Sequence, residues 1–172
     1  MKNSSKYLLD ADSLIRPFRQ HYRPSICPAY WDAIKRLFQE GRLASIFQVR
    51  VEIERGKDLL TSWVKDQLPG TFFKKTDDIA VTTQYTVVSN WIHQSASLSD
   101  EAKAKFARGA DGWLVAYAKA NDYLICSYEV PAPQSRNNAK LPDVAAFLGV
   151  SCVFPHEMLE ELRMRMVLST RA

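Results

Sequence analysis

Short apolar runs alternate with longer stretches of helical periodicity along this chain, and that alternation admits few folds. Lys6 to Leu9, Leu43 to Ile46, Tyr123 to Cys126 and Val150 to Phe154 are compact apolar runs. Strands covered on both faces have this character, because neither face needs a polar set. Between the runs, Tyr30, Trp31, Ile34, Leu37 and Phe38 recur at helical spacing. Pro28 sits at the favoured first turn of that helix and Gly41 at its stop. Further helical stretches carry Val49, Glu52 and Ile53, then Leu59, Leu60, Trp63 and Val64 up to Pro69-Gly70. Val81, Tyr85, Val88, Trp91 and Ile92 form another stripe, and Asp111 to Ala118 a further helix. Pro142 opens a short helix closed by Gly149, and Met158, Leu159, Leu162 and Met166 stripe the last one. Strands alternating with helices predict an α/β fold, with a central parallel sheet of short strands flanked by helices on both faces. At 172 residues the chain suits one domain, 1–172, with 57–98 as a helical insertion within it.

Several function classes drop out at once. No apolar run approaches the roughly 18 residues that a membrane helix needs. Asp10 and Asp12 interrupt the only early apolar stretch, which therefore does not read as a signal peptide. The expectation is a cytoplasmic protein with no membrane partner. Cys27, Cys126 and Cys152 are odd in number and widely spaced, so neither a disulfide framework nor a zinc ribbon is expected. Each reads as a buried small hydrophobe. The formal charge of +4 permits a polyanionic partner without requiring one.

The carboxylates carry the chemical signal. In open parallel sheets, ligands bind beyond the carboxyl ends of the strands. Asp10 and Asp12 follow the first apolar strand, and Glu129 lies just past the Tyr123–Cys126 strand. Asp111 begins the helix that feeds that strand, and Glu52 lies among Val49 and Ile53 on an otherwise apolar face. Buried carboxylates need a cation, so several converging ones suggest a metal site. Structural roles also fit each acid singly. Asp12 or Ser13 would serve as a helix N-cap, Asp111 would complement a helix dipole, and Glu52 would pair with Arg50 or Arg55.

As a set, these segments resemble the PIN domain family, the nuclease fold of VapC-type toxins. Leu8-Leu9-Asp10-Ala11-Asp12-Ser13-Leu14-Ile15 looks like its opening strand motif. Ala44 to Ile53, carrying Glu52, is similar to its second motif, and Ala110 to Ala118, led by Asp111, to its third. Leu124-Ile125-Cys126-Ser127-Tyr128-Glu129 looks like the last. Cys27-Pro28-Ala29-Tyr30-Trp31 and Lys140-Leu141-Pro142-Asp143 resemble elements of a larger PIN-like branch. The resemblance runs from Tyr7 to Val153, and its specificity lies in the order and spacing of the motifs. Two departures stand out: Glu129 occupies a place usually held by Asp, and Asp12 one usually held by Asn, Ser or Thr.

What the resemblance implies is a Mg²⁺- or Mn²⁺-dependent endoribonuclease, the toxin of a type II toxin–antitoxin pair held by a cognate antitoxin protein. It also admits a homodimer. Asp10, Glu52, Asp111 and Glu129 would be catalytic and would hold the metal, joined by Asp12 and Asp143. Arg16, Arg19, Arg23 and Lys140 lie on basic loops near the expected strand ends and would meet RNA phosphates. Two alternatives stand beside this reading. One is a catalytically inactive PIN-fold binding module. The other is a phosphoryl-transfer enzyme of another doubly wound fold, with Asp10 of the Asp-x-Asp pair as nucleophile.

Overall fold

A computed structural model describes residues 5–167. Five strands, β1 (Tyr7–Leu9), β2 (Leu43–Ile46), β3 (Phe73–Lys74), β4 (Leu124–Cys126) and β5 (Cys152–Val153), form one parallel sheet in the order β3-β2-β1-β4-β5. Each strand feeds the next through helical connections, the only economical way to join parallel neighbours. β1 is central and its three residues are fully buried, with Tyr7 opposite both Leu43 and Leu124 and Leu9 opposite Cys126. The chain moves outward from β1 through β2 to β3, then crosses to β4 on the other side and continues to β5. That reversal opens a crevice at the carboxyl ends of β1 and β4, where doubly wound sheets bind ligands.

Nine α-helices lie among the described residues. They are α1 (Asp12–Arg16), α2 (Pro28–Gln39), α3 (Phe47–Arg55), α4 (Leu59–Gln67), α5 (Ile79–Gln94), α6 (Asp100–Arg108), α7 (Asp111–Asn121), α8 (Leu141–Phe147) and α9 (Pro155–Glu161). The longest, α5, packs along α7, and the Tyr85 and Trp113 rings stack with centroids 3.7 Å apart. Gly112 permits this closeness. A Cβ there would lie 3.0 Å from the Tyr85 ring and 3.1 Å from Phe106. No helix among the described residues is long and apolar enough to cross a membrane.

Some elements differ from the sequence expectation. The basic segment after Arg16 continues as a π-helical turn, Pro17–His21, rather than an irregular loop. The 57–98 segment is more than helical, because between α4 and α5 it supplies β3, the edge of the sheet. The final helix ends at Glu161, with Arg163 in the left-handed region at φ 53°, so Met166 lies beyond it. Cys126 is buried as expected, but Cys27 and Cys152 are only half-buried, and all three are free thiols.

Candidate active site

Asp10 follows β1 at the crevice between β1 and β4. Its backbone N–H donates to Cys126 O at 3.2 Å, which carries the β1–β4 ladder one residue past the strand. The side chain is 6% exposed, and both its oxygens are engaged. Oδ1 accepts from the Ser13 backbone N–H at 2.7 Å, and Oδ2 accepts from Ser127 Oγ at 2.6 Å. Ser13 Oγ in turn donates to Cys126 O at 2.8 Å, tying the start of α1 to the end of β4. Burial pushes the Asp10 carboxyl up to about 6, Asp12 adds to the rise, and the bonds from Ser127 and Ser13 hold it in check.

A cleft of about 550 Å³ is lined by Glu52, Asp111 and Glu129 among others; Asp10 does not line it. Glu52 reaches it from α3, where its Oε1 accepts from the Ala110 N–H at 2.9 Å. That bond orders the start of α7, which carries Asp111. Glu129 comes from the segment after β4. Its own N–H donates to Ser127 Oγ at 3.0 Å and its Oε2 accepts from the Leu141 N–H at 3.0 Å. Asp111 has no hydrogen-bond donor to its carboxyl among the described residues. Burial raises it to about 7, followed by the charges of Glu129, Glu52 and Asp10, with Lys140 pulling the other way. Two carboxyl groups perturbed toward neutrality in one crevice, each by burial and by charged neighbours, are characteristic of functional sites.

Of the other expected acids, neither joins this group. Asp12 pairs with Arg16 at 2.6 Å on the surface of α1. Asp143 accepts from the Ala132 N–H at 2.9 Å and lines a neighbouring pocket. The expected cations also divide. Lys140 lines the cleft, with Nζ 3.7 Å from Glu129 Oε1. Arg16 is taken up by Asp12 and lies over the Tyr128 ring, while Arg19 pairs with Asp58 at 2.6 Å. Arg19 and Arg23 line a different, apolar cavity.

The cations that do rim the acidic cleft, beside Lys140, are Arg55, Lys105 and Arg108. None of these three was expected from the sequence, although Arg55 and Arg108 each have a signal there. Arg55 lies three residues after Glu52 on the same helix, and Arg108 three residues before Asp111. The cleft is therefore acidic at its floor and basic at its rim.

The donor set suits a hard divalent cation. All the ligating atoms on offer are carboxylate oxygens, and such atoms hold Mg²⁺ or Mn²⁺. Glu52 and Glu129 each have one oxygen fixed by a backbone N–H and the other turned to no backbone donor, the arrangement by which outer hydrogen bonds orient a metal ligand. The carboxylates are not drawn into a ready-made cage: among the described residues, no three His, Cys, Asp or Glu side chains stand close enough together to enclose an ion. Like charges in a partly desolvated cleft repel, which favours this separation.

The sequence profile of a family described as Domain of unknown function (DUF4411) matches residues 7–166. No curated protein and no solved structure matches the chain.

Proposed function

The chain belongs to the DUF4411 family, and we propose that it is a metal-dependent endoribonuclease of PIN-like construction, acting as the toxin of a toxin–antitoxin pair. One observation carries this reading. Glu52, Asp111 and Glu129, from three separate segments, line one cleft with Arg55, Lys105, Arg108 and Lys140, and Asp10, at the end of β1 where the strand order reverses, is near enough to raise the Asp111 carboxyl. A phosphodiester is attracted to such a rim but repelled by bare carboxylates. The floor therefore needs Mg²⁺ or Mn²⁺ before substrate approaches.

Glu52, Asp111 and Glu129 would hold the cation, with Asp10 contributing negative charge from behind. When bound, the cation would supply Lewis-acid polarisation of the phosphate and lower the pKa of a bound water so that it attacks as hydroxide. The chain's own residues set the stage. Ser13 and Ser127 fix both oxygens of Asp10, so its position does not depend on substrate. Glu52 is held by the Ala110 N–H at the entry to α7, and Glu129 by the Leu141 N–H at the entry to α8. Asp111, raised to about 7 by burial and its acidic neighbours, is partly protonated near neutral pH and gives up that proton as positive charge arrives. Arg55, Arg108 and Lys105 then hold the phosphate backbone.

The rival in which Asp10 attacks a phosphoryl group is disfavoured by the same geometry. A nucleophile needs a free, exposed oxygen, and Asp10 is 6% exposed with both oxygens bonded. A protein partner is supported by an apolar cavity of about 630 Å³ lined by Phe18, Leu59, Leu60 and Trp63, at which Leu59 is 78% exposed.

The test is cleavage of single-stranded RNA by the purified chain with and without Mn²⁺, with expression in a bacterial host as a second readout. Cleavage that requires the ion, stops in EDTA and is lost in Asp111→Asn is expected, along with growth arrest by the wild type alone. RNA left intact across Mg²⁺ and Mn²⁺, by folded protein, would sink the nuclease reading.

A further inference from the structure

A second, smaller pocket of about 260 Å³ adjoins the acidic cleft, and Asn138, Ala139 and Lys140 line both. We propose that this pocket seats the base of a nucleotide next to the scissile phosphate, so that the protein selects its RNA by base identity; this inference rests on the nuclease reading above.

Three features of the pocket fit a base. Trp91, from α5, lines it and is braced by the Phe147 ring, stacked with centroids 4.6 Å apart and planes 15° from parallel. A braced indole makes a stacking platform, and stacking tolerates any base because every base has a π-face. The pocket also offers hydrogen-bonding groups of both kinds. Asn138 accepts from Lys105 Nζ through Oδ1 at 2.7 Å, which leaves its amide N–H₂ to donate. Asp143 uses Oδ2 on the Ala132 N–H, which leaves Oδ1 to accept. A donor and an acceptor lining one pocket are what reading a base edge requires, and unpaired single-stranded bases present such edges.

The connection to the cleft is direct. Lys140 stands between the two, with its ammonium beside Glu129 and its backbone at the N-cap of α8. The Lys105–Asn138 bond ties α6 to the 131–140 segment, and a second bond, Ser99 N–H to Arg136 O at 2.9 Å, repeats the link. The wall shared by the two pockets, Asn138 to Lys140, is thus tied to α6 at its Asn138 end. This also gives Asp143 a role separate from metal binding, as the acceptor of the base pocket.

The experiment measures binding rather than cleavage, so it stands apart from the nuclease reading. Fluorescein-labelled tetranucleotides of A, C, G or U are titrated against the full chain by anisotropy, with Ca²⁺ in place of Mg²⁺ or Mn²⁺ to neutralise the cleft's carboxylates. The wild type is expected to prefer one base at least fivefold. Trp91→Leu should weaken that binding about tenfold, the loss of one stacked base. Asp143→Asn keeps the acceptor for the Ala132 N–H and replaces the free acceptor with a donor, so it should reorder the base ranking while leaving the fold intact. Equal affinity for all four oligonucleotides, or a ranking unmoved by Asp143→Asn, would overturn the proposal even if Trp91→Leu fails to fold. Base-selective binding by a protein that never cuts RNA would instead overturn the nuclease reading and leave the pocket standing.

Discussion

Replacing Asp10 by Asn should stabilise the metal-free protein at neutral pH and cost it stability in acid. Asp10 is raised from 3.8 to about 6 by burial. The folded state thus binds a proton more tightly than the unfolded chain does. Stability from this group is fully present below the unfolded value and is lost as pH climbs through about 6. A rise of roughly 2 pH units is worth about 3 kcal/mol of stability by pH 8. Asn removes that loss, since it never ionises. It keeps the bond from the Ser13 N–H, but its amide N–H₂ faces Ser127 Oγ, which must turn from donor to acceptor. That turn costs about 1 kcal/mol at every pH. The variant should then be about 0.5 kcal/mol less stable than wild type near pH 4, where part of the unfolded chain's carboxyl is already ionised, and about 2 kcal/mol more stable at pH 8. Urea unfolding of both proteins in EDTA at pH 4, 6 and 8 reads this directly. A stability difference that stays constant across those pH values would refute the buried, proton-retaining Asp10.

Three further outcomes follow from the same contacts. Glu52→Ala should lose about 1–2 kcal/mol by orphaning the Ala110 N–H, whereas Glu52→Gln should keep that stability and still abolish RNA cleavage, as urea melts and a gel assay would reveal. Gly112→Ala should cost about 1–3 kcal/mol, because its methyl enters the space between Tyr85 and Phe106, and a thermal melt measures the loss. Lys140→Met removes a cation that lowers the Asp111 pKa, so the carboxyl carbon resonance of Asp111 should titrate at higher pH than in wild type.

The sheet was legible in sequence where strands are apolar and buried. β1, β2 and β4 lie within or on the expected runs, and β5 occupies the middle of its run. β3 escaped because Phe73–Lys74 is too short to carry a period and follows the equally apolar Phe72. The helix α6 escaped for the opposite reason. Its sequence DEAKAKFAR is mostly charged and buries only Ala102 and Phe106, so no stripe announces it. That omission hid Lys105 and Arg108, half of the basic rim. Glu52, Asp111 and Glu129, which line the cleft, carried a signal in the sequence, since Glu129 follows a strand end, Asp111 opens a helix and Glu52 interrupts an apolar helix face. Asp12 and Asp143 show the limit of that logic. Each lies near a strand end or a motif, but Asp12 is paired with Arg16 on α1, and Asp143 lines the neighbouring pocket rather than the cleft.

Whether these acids hold a divalent cation is read by titrating Mn²⁺ into the metal-free protein by calorimetry at pH 6.5. Running it in two buffers of different ionisation enthalpy counts the protons released. Asp10 and Asp111, raised to about 6 and about 7, are both partly protonated at that pH. The wild type should therefore bind Mn²⁺ with release of about one proton, and Asp111→Asn should bind at least tenfold more weakly and release fewer. Absence of binding at millimolar Mn²⁺, or binding that Asp111→Asn leaves unchanged in both affinity and proton release, would contradict the metal centre.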